Sequence, residues 1–268
     1  RYFMVTFTLP QPLRHVFTAE PKRMIDLMFN ASASALQKVA SNPRHLGAQL
    51  GTTSVLHTWG RQMQLHPHIH VIVPGGGLRA DGTWASLPKA DYLLPHRAVA
   101  AAFRVRMEEG LRAVLPAWHA QVPMACWRDH WVVDIASVGH GEAAIKYLAR
   151  YVQRTAINDT RIQIMDEASV RFGYRDSATG AAKTCTLSAA EFMRRYLQHV
   201  LPGGVHRVRY FGWEHPALLE VPIVVSSPEA ELVRWHLQCR HCQTETMVCV
   251  GSLPRARAPP PFGRSWAA

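Results

Sequence analysis

Long apolar runs are missing from this chain. No stretch reaches the ~18 consecutive apolar residues that a membrane-crossing helix requires, which excludes a helical membrane span. The first residues carry no charged start, apolar run and small-residue cleavage site of the secretion-signal kind. Cysteine is scarce, five in 268 residues. The number is odd and the spacing uneven, which argues against a secreted disulfide framework. Acidic residues are also few, 19 Asp+Glu against 30 Lys+Arg, for a formal charge of +11. Such a surplus points to a polyanionic partner, nucleic acid first and an anionic membrane second. Within the basic set lysine is rare. Lys22, Lys38, Lys89, Lys146 and Lys183 are all there are, so 25 of the 30 are Arg. GC-rich codons produce the same bias, yet Arg's planar fork also suits phosphate and base stacking better than Lys does.

What is present is ordinary globular material, 48% hydrophobic and 18% charged, enough for one large domain or two modest ones. No internal repeat and no regular βαβ rhythm is found, so the pattern predicts an α+β fold with a mainly antiparallel sheet. Strands are expected at 3–9, 52–59, 66–73 and 130–137 from their β-branched and aromatic content. The second and third read as a hairpin stopped by Pro74-Gly75-Gly76-Gly77. Helices are expected at 21–41, with Pro21 in the first turn, and at 96–114 and 141–154. A small insert surrounds Asp81-Gly82. Residues 161–187 read as a strand pair around Ser177–Gly180. Ser188 and Glu191 form a capping-box pattern opening a helix to about Val200, and a last strand is expected at 205–210. The tail from 254 is rich in Pro, Arg and Ala and reads as disordered. The chain begins with Arg1, which reads as a fragment or a processed piece.

The densest chemical signal is His66-Pro67-His68-Ile69-His70. Strand side chains alternate, so His68 and His70 share a face while Ile69 points to the core. Two imidazoles held by one strand make a pair of metal ligands. A third must come from elsewhere. His57 lies on the partner strand of the hairpin, His66 shares the parity of the pair, and Gln64 and Asp134 are weaker candidates. One His-x-His among fifteen His is an ordinary occurrence, so this signal is weak alone. The second signal is Tyr147-Leu148-Ala149-Arg150-Tyr151-Val152-Gln153-Arg154. On a helix Tyr147 and Tyr151 stack one turn apart, with Arg150 and Arg154 beside them. Phenols next to guanidiniums suit attack on a phosphodiester. The same spacing also describes a plain amphipathic helix whose rings pack on a sheet.

Taken together, the two signals resemble a known family: the His-hydrophobic-His single-strand endonucleases, and within them the two-tyrosine transposases of rolling-circle insertion sequences. Phe7-Thr8-Leu9, His68-Ile69-His70 and Tyr147-x-x-Arg-Tyr151-x-x-Arg match the family's motifs in order, with Arg where many relatives carry Lys. The likeness runs from residue 1 to about 213 and includes Glu191-Phe192-Met193-Arg194-Arg195-Tyr196. It implies a central antiparallel sheet flanked by helices, with a small helical and strand extension toward the C-terminus. Residues 1–160 would be the nuclease core, 161–215 the rest of the transposase domain, and 216–268 a poorly patterned tail.

The resemblance further implies magnesium or manganese held by His68, His70 and one more side chain, with the hairpin favouring His57. Tyr147 and Tyr151 would be the nucleophiles and Arg150 and Arg154 DNA contacts. A 5′-phosphotyrosine and a free 3′-hydroxyl would form on single-stranded DNA at the ends of the mobile element, in a bacterial cytoplasm at the nucleoid. Trp59 and Trp213 are candidates for base stacking. Relatives usually carry an N-terminal Cys-rich zinc module, and none is visible. Cys239-Arg240-His241-Cys242, with Cys249 seven residues on, is half of a structural zinc site. Cys126 and Cys185 read as small buried residues. Two other readings share these features: a truncated or inactive single-stranded DNA-binding protein, and a relaxase or replication initiator of the same superfamily.

Overall fold

Tyr2–Thr8 (β1) alternates so that Phe3, Val5 and Phe7 are buried together, and Leu9 and Pro10 end the strand. This pattern recurs in Thr52–Trp59 (β2) and Leu65–Pro74 (β3). Leu56, Ile69, Val71 and Val73 continue the apolar face begun by β1. The computed structural model describes residues 1–141, 146, 149, 156–176 and 179–214. These fall within one compact unit, Arg1–Pro222; Ile223–Ala268 form a second unit, outside the described residues.

Five strands build the main sheet, with β2, β3 and β1 side by side at its centre and one further strand at each edge, each pair antiparallel. Val133–Gly139 (β6) flanks β1, and Val208–Phe211 (β10) flanks β2. The segment before β6 differs from expectation. Trp131 is not a strand residue; its indole donates to the Cys126 carbonyl at 2.8 Å and its ring meets Phe103, so the strand begins at Val133 rather than at 130. A short helix (Arg14–Ala19, α1) and a long one (Pro21–Ala40, α2) follow β1. Along α2, Met24, Met28, Ala31, Ala35 and Val39 recur at helical spacing and are buried. His96–Val114 (α3) packs on α2 and sends Phe103 against Phe7, ring centroids 4.8 Å apart. Gly110 lets the two helices approach, because a Cβ there would overlap Leu27 of α2. Pro116–His119 (α4) and Met124–Arg128 (α5) complete this helical layer.

The Asp81-Gly82 insert is a two-stranded hairpin, Gly76–Leu78 (β4) and Trp84–Ser86 (β5). Residues 162–188 hold three strands where a pair was expected: Ile162–Met165 (β7), Ser169–Arg175 (β8) and Ala182–Ser188 (β9). The extra strand is four residues long and is turned by Asp166, whose carboxylate accepts from the Ala168 and Ser169 N–H groups. Ala189–Leu197 (α6) starts as the capping pattern predicts, the Ser188 hydroxyl accepting from Glu191 N–H at 3.2 Å. Glu191 does not return the bond; Arg194 and Arg195 take its carboxylate and hold its pKa down at about 2. No described helix is long and apolar enough to cross a membrane.

Candidate metal centre on the open face of the sheet

The apolar face of the main sheet is covered by α2 and α3, so the opposite parity is the site. There β1 contributes Thr6, β2 His57, and β3 His68 and His70. Cross-strand register sets their spacing: His57 pairs with His68, and Thr6 pairs with His70. Ligand nitrogens of His57, His68 and His70 all lie within 4.8 Å of one another. The imidazole centroids are 4.8 Å apart for His57–His70 and His68–His70 and 5.4 Å for His57–His68. His57 is 2% exposed and His70 8%, so packing holds both rings in place beside the half-buried His68. Beside His57 the β2–β3 register shifts by a bulge, a device that re-aims side chains next to functional sites.

The tautomers suit a metal. His68 Nδ1 lies 2.7 Å from the His66 carbonyl, which can only accept. Nδ1 therefore carries the proton and Nε2 the lone pair. Thr6 Oγ1 is 3.2 Å from His70 Nδ1; a hydroxyl accepting that N–H orients Nε2 of His70 in the same way. Partners of this kind fix a ligand's ring and raise its basicity. Three imidazoles, two of them buried, would fit a divalent transition ion and would tolerate manganese better than an all-oxygen site.

The other candidates go elsewhere. His66 accepts at Nδ1 from Arg14 at 3.1 Å. Burial, and then the Arg14 charge, lower its pKa. Asp134 is exposed on β6 and pairs with Thr6, one strand beyond the His70 position. Gln64 accepts from the Gln62 N–H within the β2–β3 turn. Trp59, expected to stack a base, already stacks on His57 (4.8 Å, 18° between planes), with the Arg207 guanidinium 5.0 Å from its ring. Trp213 donates to the Gln49 carbonyl and meets Trp84 edge-on. Cys126 is buried; burial, with Asp129 and Glu108 near, pushes its thiol up to about 11. Tyr147, Arg150, Tyr151 and Arg154 lie outside the described residues, as do Cys239, His241, Cys242 and Cys249. Sequence reasoning missed Thr6, although strand parity in β1 places it on the histidine face.

Residues 51–219, well over half of the chain, match the family described as "Putative transposase". The chain belongs to that transposase family. A relative in Sinorhizobium fredii (strain NBRC 101917 / NGR234), "Putative transposase y4qJ", is 36% identical over 233 residues, 80% of this chain and 58% of its own length. The "Transposase for insertion sequence element IS801" of Pseudomonas savastanoi pv. phaseolicola is 29% identical over 226 residues, 78% of this chain and 53% of its own. The chain thus spans between half and three-fifths of these transposases. Among solved structures, the conjugative relaxase TrwC with oriT DNA aligns over 42% of this chain and 44% of that one, at 20% identity and TM-score 0.33. TrwC with a 27-mer carrying its recognition hairpin and cleavage site aligns over 76% and 68%, at 14% identity and TM-score 0.31.

Proposed function

We propose that this chain nicks and rejoins single-stranded DNA at the ends of a rolling-circle insertion sequence, by a metal-dependent tyrosine mechanism. The observation that carries the reading is the convergence of His57, His68 and His70 on the open face of the sheet, in a chain of the transposase family. The three imidazoles would hold magnesium or manganese. When bound, such an ion supplies Lewis-acid polarisation of a phosphate oxygen and orients the phosphodiester. The low exposure of His57 and His70 would keep these two ligands fixed in direction when the ion is bound.

Tyr147 and Tyr151 are the nucleophiles in this reading. One phenolic oxygen bonds to phosphorus as the bond to the 3′-oxygen breaks. The phenol gives up its proton and the leaving 3′-oxygen gains one, so a 5′-phosphotyrosine and a 3′-hydroxyl result. Bond energy is conserved in the ester exchange, and no nucleotide is consumed. The second tyrosine, four residues away, lets another strand be opened while the first stays attached. Arg150 and Arg154 supply phosphate contacts and ease phenolate formation.

A denaturing gel tests this. The protein is incubated with end-labelled single-stranded DNA from an element terminus and manganese. A slow band abolished by EDTA and by the Tyr147→Phe/Tyr151→Phe double variant is the expected result. DNA binding without any covalent band contradicts it and favours a binding protein.

A further inference from the structure

The three-stranded sheet β7–β9 has two unlike faces. One packs on α6 through Val170, Phe172 and Leu187 against Phe192. The other presents Arg171, Arg175, Thr184 and Thr186, all exposed, with Gln163 alongside. These strands carry no acidic residue. Asp176, just after β8, is ion-paired to Lys183 at 2.6 Å. At the centre of the open face stands Gly173, where an added Cβ would meet nothing within 4 Å except the Gln163 amide at 3.3 Å. That keeps the surface flat.

This sheet and the histidine cluster share one groove of about 1440 Å³. His57, His68 and His70 line one part of it; Arg175, Lys183 and Thr184 line another. Its width is set by hydrogen bonds. Arg161 donates to the Gly173 and Arg61 carbonyls, both at 2.9 Å. Arg61 donates to the Arg175 carbonyl at 2.8 Å, and the Gln62 amide reaches the Tyr174 hydroxyl at 2.8 Å. The second sheet is thereby pinned to the turn of the β2–β3 hairpin that carries His57 and His68.

We infer that the open face of β7–β9 is the second wall of a substrate channel, and that its occupant is a single-stranded DNA segment continuing from the phosphate held at the histidines. The inference rests on the proposed function and extends it to a part of the fold that the motifs do not touch. Charge complementarity selects the occupant: guanidiniums for phosphates, and hydroxyls and an amide for sugars and base edges. Seven-residue strands span about 23 Å, so several successive phosphates pass the two arginines.

The test uses the Arg171→Ala/Arg175→Ala double variant. Both side chains are exposed, and the hydrogen bonds recorded for them, to Thr186 and to the Gly180 carbonyl, stay within the β8–β9 hairpin, so manganese binding should persist and report the fold. Fluorescence anisotropy on a single-stranded oligonucleotide should show about tenfold weaker binding, with the slope of log K against log salt flattened by roughly 1.4 for two lost phosphate contacts. The Arg97→Ala/Arg112→Ala pair on α3 should change neither. A benzoylphenylalanine at position 184 should cross-link to the DNA, and one at position 97 should not. Wild-type protein that binds no single-stranded DNA overturns the proposed function and this inference with it. Wild-type protein that binds and forms the covalent band, while the Arg171/Arg175 variant is unchanged and position 184 fails to cross-link, overturns this inference alone. Stronger dependence on the two arginines with duplex than with single strands would also overturn it.

Discussion

The two antiparallel sheets of this molecule are held in different ways. The main sheet rests on a large apolar core shared with α2 and α3, where Phe3, Phe7, Phe29, Phe103 and Ile69 are each at most 1% exposed. Among the described residues, the small sheet encloses a cluster of five buried residues, Met63, Ile157, Val170, Phe172 and Phe192. It gains its place from polar links to the hairpin turn: Arg161, Arg61, Gln62 and Arg195, whose guanidinium donates to the Gln62 carbonyl at 3.0 Å. The difference matches the tasks assigned above. A ligand cluster must be held to fractions of an ångström, which dense packing achieves. A wall along a nucleic-acid strand tolerates more play and needs exposed cations, which a thin module can display.

The largest expected effect separates the two cores. Phe7→Ala opens a cavity beneath β1 and β3 and should cost about 3–5 kcal/mol in urea unfolding, with loss of manganese binding in the same transition. Phe172→Ala should fall at the low end of that range. Hydrogen exchange should rise in 162–188 while β1–β3 stay protected. Equal loss of protection in both sheets would erase the distinction. Next in size, Arg161→Ala removes charge-assisted hydrogen bonds, each contributing ~1.5–3 kcal/mol. With two such bonds at the lower end of that range, it should destabilise by about 3 kcal/mol and raise exchange at 60–64 and 162–175, with less effect on β1.

Thr6→Val keeps the shape of β1 and removes the hydroxyl beside His70. Manganese affinity should drop by ~10-fold, as for other partners of metal-bound histidines, with unfolding nearly unchanged. The smallest effect is a pH dependence. His199, after α6, has Nε2 2.9 Å from the Met63 carbonyl and Nδ1 3.1 Å from the Thr58 hydroxyl. The carbonyl requires an Nε2–H, and the hydroxyl then donates to Nδ1, so the neutral ring is fully used. Burial lowers its pKa, and the Met63 carbonyl opposes this only in part. The unfolded chain therefore takes up the proton first as pH falls below about 6.5. Stability present above that pH is lost on acidification down to the lowered folded value. Thermal melts from pH 8 to 5 should fall less steeply for His199→Gln than for wild type. Parallel curves would remove His199 from the links joining α6 to the hairpin turn.

Much of the main sheet was readable from alternation and stops. β2 begins and ends as expected, β1 shifts by a residue and β3 gains one at each end, because Pro10, Gly60 and Pro74 punctuate strongly patterned runs. The hairpin was readable too, and with it His57 opposite His68. The bulge that lets Trp59 stack on His57 was not, since a one-residue register shift leaves no mark in composition. Arg14 engaging His66 was equally hidden, because 52 residues separate them and only the docking of α1 on β3 brings them together. β7 escaped because four residues give too short a period to recognise.

Manganese titration followed by electron paramagnetic resonance tests the central claim most directly, with wild type, His57→Ala, His66→Ala and Asp134→Ala compared side by side. The account predicts one tight site per chain in wild type. It should persist in the His66 and Asp134 variants and weaken by at least ~100-fold in His57→Ala, since loss of a supporting partner alone costs ~10–100-fold. Unchanged affinity in His57→Ala, together with loss in His66→Ala or Asp134→Ala, would contradict it.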